Sequence, residues 1–416
     1  MFHIHHTSRR LQGVVALDGS KSISNRALII LALAGVDPSR YLSRLSTSKD
    51  TVTLQRLLGQ SELVFDAGDA GTTFRFMAAY LALQPGVKIL TGSARMQERP
   101  CGPLVDALRE LGADISYLGK EGYPPLQIGA FQSNGVDTVR VPAGVSSQFL
   151  SALLLIAPYL PQGLTLVPDG PLVSRPYLEM TLSQMRHFGA DVQWQGDAVL
   201  VRPGTYQARE MVVEADWSGA SYWYAMAALA EEVELKLEGL FVSSWQGDSK
   251  LVPMMERFGV ETTFEASGVV LKKSGRALPP YFEQDFLECP DIAQTLAVVC
   301  AGSGVEALFS GLETLSIKET DRIAALKTEL AKVGVSFSKL PARMHSRNPG
   351  KTIYHLQGKA TWTETPQFST YGDHRMAMAF AALGLLGTIK IENPEVVVKS
   401  YTRFWEDLKQ LGFSIE

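Results

Sequence analysis

One pattern of hydrophobic and polar positions recurs along the whole chain. A stretch with charged and apolar residues at helical spacing ends in a glycine, and a strand-like segment follows. Apolar positions three and four residues apart predict amphipathic helices, and a glycine directly after such a stretch is typical of a helix end. The following segments, such as V-E-T-T-F and V-S-F-S-K, alternate or are β-branched, which predicts strands. The glycines that end the copies are Gly59, Gly112, Gly189, Gly259, Gly334 and Gly412.

Six copies at near-even spacing predict repeated structural units. The chain has 416 residues, and a single hydrophobic core rarely serves a chain of that length, so we expect two similar domains of three units each. A helix-forming stretch at residues 218–230 opens the second half after M-V-V-E-A-D. The domain boundary is therefore expected near residues 213–215. Helices and strands mixed within each unit predict a layered α/β (α+β) class.

Composition and charge exclude several classes of protein. Hydrophobic residues make up 46% and charged residues 20%, as in globular proteins. The sequence shows neither a run of eighteen apolar residues nor a secretory signal, so we expect a cytoplasmic protein without a membrane partner. A net charge of −4 argues against a nucleic-acid partner. The widely spaced Cys101, Cys289 and Cys300 predict neither a disulfide framework nor a zinc site.

Polar residues gather where a turn enters an apolar helix. In D-G-S-K-S-I-S-N-R, Lys21, Ser22 and Arg26 surround a predicted helix start. Free backbone N–H groups and the positive end of the helix dipole make such a start a natural anion site. The segment is not a nucleotide P-loop, because Ser20 separates Gly19 from its lysine. An ordinary capped helix remains the alternative for this segment taken alone.

Three further segments of the first half have similar placements. D-A-G-T-T-F-R again feeds an apolar helix, although Asp69 as a helix cap and Arg75 as a surface residue would explain it as well. R-M-Q-E-R-P is expected in a loop after the strand K-I-L-T-G. The polar run Ser146, Ser147 and Gln148 precedes the helix F-L-S-A-L-L-L-I-A, where it either caps the helix or binds a hydroxylated ligand.

The second half carries its own charged segments. K-E-T-D-R, residues 318–322, opens a predicted helix, and i,i+3 ion pairs on a solvated face are its plain alternative. D-H-R, residues 373–375, stands directly before an apolar helix. Asp291 begins another helix, where it would otherwise serve as an N-cap, and Lys399 follows V-V-V. Cations at several helix starts in a net-acidic chain predict the binding of small, multiply charged anions.

Together these segments resemble the family of 3-phosphoshikimate 1-carboxyvinyltransferases, or EPSP synthases. The resemblance rests on G-S-K-S-I-S-N-R, R-M-Q-E-R-P, S-S-Q-F-L, I-K-E-T-D-R and D-H-R-M-A-M, in collinear order from Gly19 to Lys399. It implies two domains, residues 19–213 and residues 1–18 with 214–416. Each would consist of three βαβαββ units forming an inside-out α/β barrel, with the active site in the interdomain cleft.

The same resemblance implies the reaction. The enolpyruvyl group of phosphoenolpyruvate would pass to the 5-hydroxyl of shikimate 3-phosphate by addition and elimination, with release of phosphate. No metal or organic cofactor is implied, and the family expectation is a monomer. Two other functions are alternatives to this reaction. A UDP-N-acetylglucosamine enolpyruvyl transferase has a reactive cysteine a few residues before an R-P pair, whereas Cys101 follows Arg99-Pro100 here. A non-catalytic repeat scaffold would not need these charged residues.

The resemblance assigns roles residue by residue. The shikimate 3-phosphate contacts are Lys21, Ser22, Arg26, Ser146, Ser147, Gln148, Ser174, Asp291 and Lys318, with Tyr177 packed beside them. The phosphoenolpyruvate contacts are Lys21, Gly71, Arg99, Gln148, Arg322, Arg375 and Lys399. Asp291 is the candidate base for the hydroxyl and Glu319 the candidate for proton transfer at the methylene carbon. Lys21 is a competing proton donor, and His374 is expected to orient its neighbours.

Some positions depart from the family pattern. Asp69 stands where the family usually has asparagine, and it would repel phosphoenolpyruvate unless it is turned away as a cap. Thr314 stands where asparagine is frequent, which puts one substrate hydrogen bond in question. Gly71 leaves room beside the phosphoenolpyruvate site, so the resemblance implies sensitivity to glyphosate.

Overall fold

The structure, a computed structural model, describes residues 1–142, 144, 147–170, 172, 175–341 and 351–416. The chain forms two compact units. The first unit is Gly19–Val213, and the second unit consists of Met1–Asp18 and Glu214–Glu416. Two strands precede the first unit in the chain, β1 (Phe2–His5) and β2 (Arg10–Ala16), and both belong to the second unit.

The first unit contains seven α-helices and ten strands within its described residues. The helices are α1 (Lys21–Leu33), α2 (Lys49–Leu58), α3 (Gly71–Ala82), α4 (Ala94–Gln97), α5 (Gly102–Glu110), α6 (Ser147–Ile156) and α7 (Arg175–His187). The strands are β3 (Leu42–Ser43), β4 (Val64–Asp66), β5 (Lys88–Thr91), β6 (Ile115–Tyr117), β7 (Leu126–Ile128), β8 (Thr138–Pro142), β9 (Leu164–Asp169), β10 (Val192–Gln195), β11 (Ala198–Val201) and β12 (Met211–Val212).

The second unit adds six α-helices and ten strands to β1 and β2 within its described residues. The helices are α8 (Trp217–Leu229), α9 (Leu251–Glu256), α10 (Ala293–Ser303), α11 (Arg322–Ala331), α12 (His374–Ala381) and α13 (Phe404–Gln410). The strands are β13 (Glu232–Glu238), β14 (Val260–Glu265), β15 (Gly268–Lys273), β16 (Tyr281–Asp285), β17 (Glu306–Ser310), β18 (Ser336–Lys339), β19 (Tyr354–Gln357), β20 (Gln367–Phe368), β21 (Ile389–Ile391) and β22 (Ser414–Ile415). Short 3-10 helices span Pro38–Arg40, Ala157–Tyr159, Gly247–Lys250, Pro290–Ile292, Glu313–Ile317, Ala382–Leu385 and Pro394–Lys399.

The sheets repeat one strand plan. The first unit has the four-stranded sheets β4-β5-β7-β6 and β10-β11-β9-β8 and the parallel pair β3-β12. The second unit has the sheets β14-β15-β13-β2, β16-β17-β19-β18 and β20-β21-β1-β22. Each four-stranded sheet joins one parallel pair, for example β4 with β5 or β13 with β2, to two antiparallel pairs. The N-terminal strands thus complete two sheets of the second unit.

The six predicted helix–glycine–strand junctions are all present. The helices α2, α5, α7, α9, α11 and α13 each end one to three residues before a predicted glycine, and a strand follows each one. Five of these glycines have a positive φ, as a helix-ending glycine is expected to have. Gly59 is the exception, since it ends its helix with φ −93. At Gly112 a side chain would also be excluded sterically, because a Cβ would lie 2.0 Å from the Gln132 carbonyl oxygen.

The other helices supply the cores. In the first unit α1, α3 and α6 bury most of their side chains in one hydrophobic cluster. In the second unit every residue of α8 and α12 is buried, and α10 is almost wholly so. Helices that are apolar on all sides are stable only when other elements surround them. None of the described helices is long and apolar enough to cross a membrane.

Candidate functional site

Several predicted site residues are the first residues of their helices. Lys21 begins α1, Gly71 begins α3 and Ser147 begins α6. In the second unit Arg322 begins α11 and His374 begins α12. The first N–H groups of a helix lack partners within it, so each start can offer donors to an anion. Each unit therefore carries its own set of potential anion-binding positions.

In the first unit Lys21 is paired with an acidic residue. Its Nζ atom lies 3.2 Å from Oδ2 of Asp50, and the two side chains are 17% and 5% exposed. The hydroxyl of Thr73 on α3 donates to the Asp50 carbonyl oxygen over 2.8 Å. Asp50 thereby joins the starts of α1, α2 and α3. This carboxylate cannot be recognised as a partner from the sequence alone, because it lies 29 residues from Lys21 in a polar stretch without a motif.

Arg26 is a buried cation held by neutral oxygens. Its side chain donates to Thr181 Oγ1 (2.7 Å), the Ser22 carbonyl (2.8 Å), Ser151 Oγ (3.1 Å) and the Tyr177 carbonyl (3.3 Å). Burial lowers its pKa to about 10, which still leaves the guanidinium charged at neutral pH. Arg26 therefore keeps its positive charge, and its hydrogen bonds hold the guanidinium next to the backbone of Ser22 and Tyr177.

Gly71, Arg75 and Arg99 lie together at the start of α3. A Cβ on Gly71 would lie 2.7 Å from Nη1 of Arg75 and 2.7 Å from Nη1 of Arg99. Arg75 Nη1 donates to the Gly71 carbonyl and to Oε1 of Gln148, both over 3.0 Å. Gln148 Nε2 in turn donates to the Thr72 hydroxyl over 3.0 Å. Two guanidinium groups therefore approach a helix start whose first residue has no side chain.

Three expectations for this region change. Arg75 is only 6% exposed, so its interpretation as a surface residue is wrong. Asp69 does not cap α3, whose N-cap is Ala70; it is exposed and accepts a hydrogen bond from Ser93 Oγ. R-M-Q-E-R-P is not all loop, since α4 includes Arg95 and its first turn is closed by Ser93 Oγ accepting from the Met96 N–H.

The remaining shikimate 3-phosphate candidates of this unit are less completely described. Ser22, Ser147 and Tyr177 are partly buried. Ser146 and Ser174 lie outside the described residues.

In the second unit one arginine holds three carboxylates. Arg322 Nε donates to Asp373 Oδ2 (2.7 Å), Nη1 to Asp291 Oδ1 (3.2 Å) and Nη2 to Glu319 Oε2 (2.9 Å). Its side chain is 1% exposed, so K-E-T-D-R is not a solvated helical face. Burial lowers the pKa of Arg322, but Asp373 and Glu319 outweigh it and raise the pKa. A planar guanidinium suits such multiple pairing better than an ammonium.

The two candidate proton-transfer groups each contact a second cation. Asp291 Oδ2 lies 3.1 Å from Nη2 of Arg375, whose Nη1 donates to the Asp291 carbonyl over 3.2 Å. Glu319 Oε1 lies 3.1 Å from Nζ of Lys399. The two carboxylates assigned to proton transfer are thus contacted by the three cations that the resemblance assigns to phosphoenolpyruvate in this unit, Arg322, Arg375 and Lys399. We call these five residues the carboxylate–cation cluster.

Two further ionisable residues border this cluster. Burial lowers the pKa of Lys318, an effect that Asp291 partly offsets. Asp248 is 4% exposed and accepts a hydrogen bond from Ser218 Oγ. Burial, and next the charge of Asp291, raise the pKa of Asp248 to about 7. Asp248 is not among the candidates predicted from the sequence, where its one local signal is its place after the glycine of W-Q-G-D.

Asp373 and His374 are buried at the start of α12. Asp373 Oδ1 accepts from the Arg375 N–H over 2.8 Å, so Asp373 caps the helix while it also holds Arg322. His374 is 1% exposed, and its Nδ1 lies 3.7 Å from Asp373 Oδ1. Thr314, the departure from the family pattern, is 8% exposed.

The sequence also matches a known family along most of its length. The model for EPSP synthase (3-phosphoshikimate 1-carboxyvinyltransferase) matches residues 35–408. The chain belongs to the EPSP synthase family. A 3-phosphoshikimate 1-carboxyvinyltransferase of Bacteroides fragilis is 44% identical over 98% of this chain and 97% of its own length. One of Neisseria meningitidis is 35% identical, with 98% of each chain covered.

A solved structure supports the fold assignment. The EPSP synthase of Acinetobacter baumannii superposes with a TM-score of 0.78, covering 100% of this chain and 99% of that one at 22% identity. The predicted inside-out α/β fold of the family is thereby confirmed. The enolpyruvyl transferase NikO of Streptomyces tendae also superposes, with a TM-score of 0.71 at 16% identity, and shows the shared fold alone. The two curated relatives are both named 3-phosphoshikimate 1-carboxyvinyltransferases, so they support neither a UDP-N-acetylglucosamine enolpyruvyl transferase nor a repeat scaffold.

Proposed function

We propose that this EPSP synthase family member transfers the enolpyruvyl group of phosphoenolpyruvate to the 5-hydroxyl of shikimate 3-phosphate and releases phosphate. The observation that carries this proposal is the carboxylate–cation cluster. Addition and elimination require one group that takes the hydroxyl proton and one that gives and takes a proton at the methylene carbon. Asp291 and Glu319 offer two carboxylates on a single guanidinium, and the cations beside them match the charge of a phosphorylated carboxylate.

In the proposed addition, Asp291 takes the proton of the 5-hydroxyl of shikimate 3-phosphate. The hydroxyl oxygen bonds at the same time to the central carbon of phosphoenolpyruvate. The double bond of phosphoenolpyruvate opens, and its methylene carbon takes a proton from Glu319, with Lys21 as the competing donor. In the elimination, the carbon–oxygen bond to phosphate breaks, the methyl group returns a proton to Glu319, and the proton held by Asp291 leaves with the phosphate. The cations Arg322, Arg375 and Lys399 stabilise negative charge on the intermediate and on the leaving phosphate.

Substrate contacts are proposed for each unit by the family positions. Lys21, Ser22, Arg26, Ser146, Ser147, Gln148 and Ser174 of the first unit, and Asp291 and Lys318 of the second, would bind shikimate 3-phosphate. Lys21, Gly71, Arg99 and Gln148 of the first unit, and Arg322, Arg375 and Lys399 of the second, would bind phosphoenolpyruvate. The buried Arg26, and the approach of both Arg75 and Arg99 to Gly71, support an anion site in the first unit.

The two compact units are proposed to be the two catalytic domains, 19–213 and 1–18 with 214–416. We further propose that the enzyme is a cytoplasmic monomer. It would need no cofactor or metal and would have no nucleic-acid or membrane partner. Gel filtration tests the oligomeric state.

Phosphate release tests the reaction. We expect release when both substrates are present and none when either is omitted. No release with both substrates, although shikimate 3-phosphate binds, would contradict the proposal. Replacing shikimate 3-phosphate by UDP-N-acetylglucosamine distinguishes the related transferase, and no release with either acceptor would favour a scaffold.

A further inference from the structure

Glu329 is a buried carboxylate on α11, the helix that begins with Arg322. Its side chain is 1% exposed, and both of its oxygens accept hydrogen bonds. Oε1 accepts from the Tyr371 hydroxyl over 2.6 Å, and Oε2 accepts from the Ser369 N–H over 3.0 Å and from Lys332 Nζ over 2.7 Å. Burying a carboxylate is costly unless it is paired and hydrogen-bonded. Lys332 directly follows α11, and the other two donors come from a distant part of the chain.

Those two donors belong to the turn that precedes α12. Tyr371 has φ 53 and Gly372 has φ 70, and the Asp373 N–H donates to the Thr370 carbonyl over 2.8 Å. A left-handed conformation is unfavourable for a residue with a side chain, and it persists where the surroundings impose it. Burial, and next the bond to Glu329, raise the pKa of Tyr371 to about 12, so its hydroxyl remains a donor at neutral pH.

The same turn ends at the carboxylate–cation cluster. Asp373 accepts from Arg322 Nε over 2.7 Å and from the Arg375 N–H over 2.8 Å. Arg375 in turn pairs with Asp291. The helix α11 therefore contacts this segment at both ends. Arg322, the first residue of α11, binds Asp373 at the end of the turn, and Glu329, near the end of α11, binds Ser369 at its beginning. Arg322 and Glu329 are seven residues apart, which places them on one face of the helix.

We propose that Glu329 is a positioning residue for catalysis, because the hydrogen bonds it accepts from Ser369 and Tyr371 fix the turn that places Arg375 in the cluster and Asp373 against Arg322. Among the described residues, the hydrogen-bond partners of Glu329 are Lys332, Ser369 and Tyr371, none of which is assigned to catalysis or to substrate, so Glu329 acts through the turn. If Glu329 served only to stabilise α11, its i,i+3 ion pair with Lys332 would be sufficient, and the hydrogen bonds to the turn would not be needed. This inference rests on the proposed function for its kinetic consequences, but its structural consequence can be measured separately.

The kinetic test compares three substitutions. Glu329→Leu removes all acceptors, and Tyr371→Phe removes the hydrogen bond from the Tyr371 hydroxyl to Glu329. Glu329→Gln can keep an oxygen that accepts from the Ser369 N–H and present an N–H group that donates to the Tyr371 oxygen. For Glu329→Leu and Tyr371→Phe we expect KM for phosphoenolpyruvate to rise roughly tenfold, because each loses a hydrogen bond to a charged group. KM for shikimate 3-phosphate should rise less than about threefold, because Arg322 and Arg375 are assigned to phosphoenolpyruvate. Glu329→Gln should raise KM for phosphoenolpyruvate much less than Glu329→Leu does. A general loss of folded protein would lower the apparent kcat without this difference between the two KM values.

Glu234→Gln is the matched control, because it makes the same chemical change at an exposed carboxylate, 3.9 Å from Lys272. It should leave both KM values unchanged. Equal KM values for Tyr371→Phe and the wild type, or equal effects on both substrates, would overturn the proposal even if Glu329→Leu failed to fold.

Hydrogen–deuterium exchange separates this inference from the proposed reaction. In Glu329→Leu, or in Tyr371→Phe if the former does not fold, the amides of Asp373 and Arg375 should exchange at least about tenfold faster than in Glu234→Gln, since the turn loses its support. Unchanged exchange at these amides would refute the positioning role. If the wild type releases no phosphate while exchange still rises, the proposed function fails and the positioning role stands.

Discussion

Arg322 Nη1 donates to Oδ1 of Asp291 over 3.2 Å, so the carboxylate proposed to accept the substrate proton is held by a buried cation. The same guanidinium binds Glu319 and Asp373. A single side chain thereby sets the separation of the two proposed proton-transfer groups. Because its three N–H directions lie in one plane, the arrangement depends on the shape of the guanidinium as well as on its charge.

Arg322→Lys should consequently lower activity although it retains the charge. An ammonium cannot reproduce the three directed bonds, so we expect kcat/KM for phosphoenolpyruvate to fall by about two orders of magnitude, and the free energy of unfolding by roughly 3 kcal/mol as buried carboxylates lose their partner. Phosphate release and urea unfolding measure the two effects. Arg403→Lys is the control, since Arg403 is 61% exposed and pairs with Asp407 over 3.4 Å. Equal effects of the two substitutions would contradict this reasoning.

Gly71→Ala should impair phosphoenolpyruvate binding. The added Cβ would lie 2.7 Å from a guanidinium nitrogen of both Arg75 and Arg99, and Arg75 is already held by Gln148. At least one guanidinium must move, so we expect KM for phosphoenolpyruvate to rise about tenfold with little change in KM for shikimate 3-phosphate.

The control for this change is Gly102→Ala, at the first residue of another helix, where the Cβ would meet its nearest atom at 3.6 Å. It should leave KM unchanged. The wild type should be inhibited by glyphosate, and Gly71→Ala should be inhibited less. Full wild-type activity in millimolar glyphosate, or a wild-type KM in Gly71→Ala, would contradict the expected crowding.

The repeat and the helix starts could be predicted because both depend on local chemistry. A glycine after an amphipathic stretch identifies a helix end wherever the chain goes, and a polar turn before an apolar run identifies a helix start. Lys21, Gly71 and Ser147 were found in this way. Gly59 shows the limit even of local reasoning, since its helix ends without a left-handed residue.

Burial and pairing could not be predicted from local chemistry. Nothing beside Arg75 in the sequence tells a buried arginine from an exposed one. The fold brings Gln148, 73 residues away, against its guanidinium and leaves Arg75 6% exposed. Asp50, Asp248 and Glu329 likewise gain their meaning from partners on other elements, such as the Tyr371 hydroxyl, 42 residues from Glu329. The resemblance to the family supplied the roles of Asp291 and Glu319, and it left out these supporting residues.

Asp248 should make stability depend on pH in a defined direction. Its pKa is raised from an ordinary 3.8 to about 7 by burial, by Asp291 and, to a lesser degree, by Asp216, against the opposing charge of Arg375 and the hydrogen bond from Ser218. The folded state therefore binds a proton that the unfolded state releases. Its contribution to stability is complete below pH ~4 and is lost as pH rises towards ~7, by up to about 1.4 kcal/mol per pH unit.

Asp248→Asn removes this titration and keeps the shape of the side chain. The unfolding midpoint of the wild type relative to Asp248→Asn should fall as pH rises from 5 to 7 and then level off by pH 8, as followed by tryptophan fluorescence in urea. Asp197→Asn, at an exposed carboxylate, should show no such trend. A constant difference between wild type and Asp248→Asn across this range would mean that Asp248 is ionised throughout, and that the repulsion from Asp291 is offset by Arg375.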